Sequence, residues 1–147
     1  MKTLLLATII ASATLTGCSS TPTQYVALPD VSAPISDDKA IIELHRTSSI
    51  VGAAVGNDIY DNDSKIGIIR NDTKLLWERD ANKVLCLTRD KLGDNTMDYF
   101  VNPLITAFAE PAHPECFKLQ GGKINKFKLV LSEGRFIDEE TWLKDYN

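Results

Sequence analysis

The chain has 147 residues, 44% hydrophobic and 24% charged, with 20 acidic against 16 basic side chains and a formal net charge of −4. That length holds one domain with room for a core, and the composition is that of a globular protein. A mild acidic balance without a basic run excludes the electrostatic footprint of a nucleic-acid binder and gives no charge-driven attraction to an anionic lipid face.

The first organised signal is N-terminal. Lys2 is followed by Leu4, Leu5, Leu6, Ala7, Ile9, Ile10 and Ala11, then by small residues up to Gly17. A positive start, an apolar centre and a small-residue end make a secretory signal. The run is too short, and too broken by Thr and Ser, to span ~30 Å of hydrocarbon as a permanent helix. It closes on Leu15, Thr16, Gly17 and Cys18. These four residues resemble the bacterial lipoprotein signal, the lipobox. The resemblance implies diacylglycerol in thioether linkage on Cys18, cleavage between Gly17 and Cys18, and acylation of the new amino group by a chain such as palmitate. The other reading is a plain signal, cleaved or uncleaved, with an incidental cysteine. A single acyl chain, at ~0.8 kcal/mol per buried CH2, anchors reversibly, whereas two or three on one residue make release negligible. In enteric bacteria an Asp after the lipidated cysteine retains a lipoprotein in the inner membrane. Ser19 and Ser20 follow here, so the resemblance implies the outer membrane, facing the periplasm.

The chain divides into a signal at 1–17, a lipidated cysteine with a flexible tether at 18–38, and a folded domain at 39–147. Pro22, Pro29 and Pro34 stand among polar residues in the tether, which predicts a flexible coil holding the domain ~25 Å from the bilayer. Alternatively, Tyr25, Val26 and Leu28 pack on the domain as a short edge strand.

Of three cysteines, lipid takes Cys18 and leaves Cys86 and Cys116. An exported chain meets an oxidising compartment, so an even remainder points to a disulfide. Two buried thiols or a metal pair are the alternatives. Neither His45 nor His113 has ligand spacing to the cysteines, which disfavours metal.

From residue 40 the pattern is of short strands and turns. Residues 40–46 alternate, with Ile42 and Leu44 on one face and Glu43 and His45 on the other. Asp58, Ile59 and Tyr60 lead into a turn at 61–64, and 65–70 returns as the second arm of a hairpin. Residues 74–78 form a strand carrying Trp77. Strands follow at 83–89, 104–109 and 116–119, the last closed by Gly121 and Gly122. In 125–131, Phe127, Leu129 and Leu131 point one way and Lys126 and Lys128 the other. Asp138 caps a short terminal helix, with Trp142, Leu143 and Tyr146 as its packing face. Seven or eight short strands predict an all-β, mainly antiparallel sandwich with a short C-terminal helix, a small barrel being the rival.

Several features together are similar to a family of small bacterial lipoproteins built on a β-sandwich domain of unknown function. They are the strand ending in Arg46, the run Val51, Gly52, Ala53, Ala54, the hairpin at 58–67, Ile69, and Asn71, Asp72 and Thr73. Gly122 and Lys123 before Phe127 extend the likeness, which covers about residues 40–131. The family's Pro-Gly turn is replaced by Asp80, Ala81 and Asn82, and Lys83 and Val84 stand where it has His. The resemblance implies a fold and a location and lends no catalytic residue.

No catalytic or metal motif emerges. Counting a calcium loop from Asp61 puts Lys65 and Ile66 at its fifth and sixth positions, with Gly67 one place late. Asp58, Asp61 and Asp63 therefore read as a solvated turn. No phosphate loop, nucleophile elbow or zinc-protease motif is present. The expectation is a non-enzyme without cofactor or metal. Trp77, Tyr60, Tyr99, Phe100 and Phe108 are the aromatic candidates for a contact surface, and Tyr99 and Phe100, in a polar stretch, are the candidate binding loop. The functional expectation is an envelope-anchored binding or structural module whose partner is an envelope protein or a cell-wall component. The alternative is a periplasmic inhibitor or immunity protein against an envelope-attacking hydrolase, presenting 90–102 or 110–115 to the enzyme.

Overall fold

The computed structural model describes residues 21–50, 56–89 and 113–145. Nine strands and one helix lie in them: β1 Thr23–Gln24, β2 Lys39–Arg46, β3 Asn57–Asp61, β4 Ser64–Ile69, β5 Lys74–Asp80, β6 Leu85–Arg89, β7 Glu115–Phe117, β8 Ile124–Val130, β9 Arg135–Asp138 and α1 Glu139–Asp145. They form a β-sandwich. One sheet has the order β1-β4-β3-β6-β7 and the other β5-β2-β8-β9. Every pairing is antiparallel except β2 with β8, which run parallel with Leu44 opposite Phe127 and Arg46 opposite Leu129. A parallel pair cannot be joined by a tight turn, and here the chain builds part of the other sheet before returning as β8.

Alternation in each strand sends one row of side chains between the sheets. Ile42 and Leu44 of β2, Ile59 of β3, Leu75 and Trp77 of β5, Leu85 and Leu87 of β6, and Phe127 and Leu129 of β8 meet there with Ile66, Ile69 and Phe136. Phe117 of β7 reaches the same layer, its ring 4.7 Å from that of Phe127. The sequence expectation of 104–109 as a strand lies outside the described residues.

Two expectations need correction. The tether assigned to 18–38 is folded against the domain from residue 23. Thr23 sits opposite Ile68 and Gln24 opposite Gly67, and the Tyr25 N–H donates to the Ile66 carbonyl at 2.8 Å. The Gln24 amide then imitates a peptide group across to the other sheet. Its Nε2 donates to the Leu76 carbonyl at 2.6 Å, and the Leu76 N–H donates back to Oε1 at 3.3 Å. β1 thus closes one side of the sandwich and covers the edge of β5, an edge that would otherwise offer unpaired groups to another chain. The edge-strand alternative is right in kind, but Tyr25 and Leu28 stay exposed while Val26 packs on the core.

The second correction concerns α1. Asp138 does cap it, accepting from the Thr141 N–H at 2.9 Å and the Thr141 hydroxyl at 2.8 Å. Burial alone would raise the Asp138 carboxyl, and the Thr141 bonds outweigh it, so its pKa falls below the usual value. Among the described residues the expected packing face keeps Trp142, whose ring lies 5.0 Å beneath the Lys128 ammonium. Leu143 is 54% exposed, and Tyr146 lies outside the described residues.

Gly67 permits the β1 contact. A Cβ there would stand 2.3 Å from the Thr23 carbonyl oxygen. Gly67→Val should therefore expel β1 while leaving the sandwich formed, at a cost of roughly 1–3 kcal/mol. Amide exchange should quicken at Tyr25 and Leu76 and stay slow in β2 and β8. Unchanged exchange at Tyr25 would show that β4 yields instead.

Candidate functional site

The two sides of the sandwich differ. β1 and β7 are the opposite edges of the five-stranded sheet, about 19 Å apart over four strand spacings. At the β7 side an open groove of about 570 Å³ runs between β7, the start of β8 and the junction of β9 with α1. Phe117, half-buried, and the nearly buried Phe127 lie at its base, Lys118 and Lys126 supply positive walls, and Asp138 and Glu139 supply negative ones. Lys126 and Glu139 face each other at 3.5 Å. Gln120 and Asn125 fix its rim, the Gln120 N–H donating to Asn125 Oδ1 at 2.9 Å and Asn125 Nδ2 donating to the Gln120 carbonyl at 3.0 Å. An aromatic floor with both charge signs around it suits a peptide or glycan segment.

Cys86 and Cys116 stand directly opposite each other on β6 and β7 and form a disulfide, with Cα atoms 4.0 Å apart. Cys116 is exposed and lines the groove, so the bridge fixes the edge strand on which the groove is built. Cysteine arithmetic alone finds this pair.

A second polar feature sits inside one end of the sandwich. Arg46 ends the inward row of β2 and is fully buried, and Arg89 ends that of β6. Glu115 faces inward from β7 and accepts a hydrogen bond from the Phe136 N–H. Burial lowers the Arg46 guanidinium pKa, and the charge of Arg89 lowers it further. Burial lowers Arg89 too, against the opposing charge of Glu115. Burial pushes the Glu115 carboxyl up. Gly134, at φ 70°, leaves space that a Cβ would take 2.8 Å from Arg89 Nη2. Asn57 is 1% exposed, and among the described residues neither polar atom of its side chain has a hydrogen-bond partner. Sequence reading misses this layer because an Arg closing a strand looks like an ordinary solvated end.

The acidic hairpin is the solvated turn expected at Asn62, Asp63 and Ser64, and departs from it at Asp61. Asp61 is 8% exposed and reaches across the core: Trp77 Nε1 donates to its Oδ2 at 2.9 Å, and Arg79 pairs with Oδ1. Asp58 does remain at the surface, bound by Lys65 at 2.5 Å. Trp77 is therefore core and not contact surface, while His45 lies 3.0 Å from Asp72 at the surface. Tyr99, Phe100 and Phe108 lie outside the described residues, as do Gly17 and Cys18. Among the described residues no three His, Cys, Asp or Glu side chains converge as a metal-ligand set, and no helix is long and apolar enough to cross a membrane.

No family model matches the chain, and no curated protein matches it.

Proposed function

We propose that the chain is a bacterial envelope lipoprotein, anchored through acyl chains on Cys18 in the outer membrane and facing the periplasm. Its sandwich is a binding or structural module without catalysis, engaging an envelope protein or a cell-wall component. One observation carries the reading. Two of the three cysteines are joined to each other, which fits an oxidising compartment. The remaining thiol is Cys18, the last residue of the lipobox-like stretch after an apolar run. The groove beside the disulfide supports the binding half of the proposal, because it joins aromatic surface to paired charges on a rigid edge.

The test is expression in a Gram-negative host. The mature chain should begin at Cys18, carry the mass of two or three acyl chains, and fractionate with the outer membrane. Cys18→Ala should leave the domain folded, remove the acyl mass and abolish cleavage before residue 18. A mature N-terminus elsewhere, or acyl mass retained by the Cys18→Ala form, would overturn the anchor. An affinity pull-down from gently solubilised envelopes then addresses the module. A native envelope protein in near-equal amount supports the adaptor role, and a toxic hydrolase as partner supports the inhibitor alternative.

A further inference from the structure

We infer that the domain docks on the bilayer itself through the β1 side of the sandwich, with Tyr25, Leu28 and Val31 seated in the headgroup layer and the β7 groove turned away. The inference rests on the proposed lipid at Cys18.

The leash is short. Thr23, the first residue of β1, comes five residues after Cys18. Fully extended, that stretch covers about 17 Å, so Thr23 stays within that distance of the membrane surface while β1 stays paired. β1 is held firmly, by its ladder with β4, by the Tyr25 N–H and by the two bonds of the Gln24 amide.

The surface so presented has interfacial chemistry. In 21–27 the residues alternate: Pro22, Gln24 and Val26 turn toward the domain, and Thr21, Thr23, Tyr25 and Ala27 turn outward. Tyr25 is 54% exposed, Leu28 73% and Val31 54%. Tyrosine favours the membrane-water boundary because its ring is apolar and its hydroxyl polar. Lys65 stands 5.3 Å from the Tyr25 ring centroid and is paired with Asp58, so this face gains no net positive charge from it. The chain's overall negative charge gives no long-range attraction, so contact depends on the anchor keeping this side at high local concentration. The groove, at the far edge of the sheet, is left open to a partner in the aqueous space.

The experiment uses the full lipidated chain in vesicles of phosphatidylethanolamine and phosphatidylglycerol. A nitroxide is attached to Val31→Cys, and in a separate protein to Leu143→Cys on α1, a site of the same 54% exposure. Collisions with a dissolved nickel chelate and with oxygen are measured on vesicles and in detergent-free release after lipase treatment. Docking predicts a several-fold fall in nickel collisions and a rise in oxygen collisions at residue 31 on vesicles, with residue 143 unchanged. If the chain does not float with the vesicles, the anchor reading fails and this inference with it. If it floats but residue 31 meets nickel as often as residue 143 does, docking alone is overturned.

Discussion

Replacing Asp61 with alanine should destabilise the domain by about 3–5 kcal/mol, the cost of leaving one member of a buried ion pair without the other. Asp61 belongs to β3 in one sheet, whereas Trp77 and Arg79 belong to β5 in the other. Its carboxylate therefore joins the two layers through groups that are themselves withdrawn from water: the Asp61 and Arg79 side chains are each 10% exposed. Removing it orphans the Trp77 indole N–H and leaves the Arg79 guanidinium with the Val84 carbonyl, 3.1 Å from Nη2. Asp61→Asn keeps an acceptor for the indole and loses the charge, so its cost should be smaller, about 1.5–3 kcal/mol. Urea unfolding followed by tryptophan fluorescence measures both, because Trp77 reports the same site. Pairing Asp61→Ala with Arg79→Met in a double-mutant cycle separates the ion pair from the indole bond. A loss below about 1 kcal/mol for Asp61→Ala would place this carboxylate among ordinary surface ion pairs.

That carboxylate also shows where sequence reading stops. In the linear chain Asp61, Asn62, Asp63 and Ser64 have the composition of a solvated turn, and the turn is there, with Asn62 at φ 52°. The burial of Asp61 comes from partners 16 and 18 residues away on the facing sheet. β1 was hidden for a related reason. A two-residue strand between prolines carries no period, and its acceptors, the carbonyls of Ile66 and Leu76, lie far along the chain. By contrast, β2 and β8 were legible because each buries one face, and burial writes a two-residue alternation into Ile42, Leu44, Phe127 and Leu129. The Asp138 cap was legible because capping is local. Leu143 is exposed: helical spacing identifies a face but does not say whether a sheet lies beneath it. The groove could not be foreseen, since it needs β7 and β8 to meet from opposite sheets.

Removing the disulfide should cost about 3–4 kcal/mol, from the loop-closure entropy that a bridge over 30 residues takes from the unfolded chain. The Cys86→Ala, Cys116→Ala double variant is the form to measure, because either single variant leaves a reactive thiol. In a domain of this size the loss lowers Tm by roughly 10 °C. The location of the effect matters as much as its size. β7 is three residues long and an edge strand, and its only ladder among the described residues is with β6. Phe117 against Phe127 and Glu115 on the Phe136 N–H are further attachments. If the bridge restrains only the unfolded chain, amide exchange in the variant rises uniformly with the fall in global stability. If it also holds β7 on the sheet, exchange at 115–117 rises well beyond that of β2 and β8, and the groove loses a wall before the core opens. The second pattern is the expected one, because three ladder residues, an aromatic contact and a side-chain hydrogen bond are a small hold on an exposed edge. It would make the cystine part of the binding surface, and reduction would then abolish partner capture at temperatures where the core is still folded.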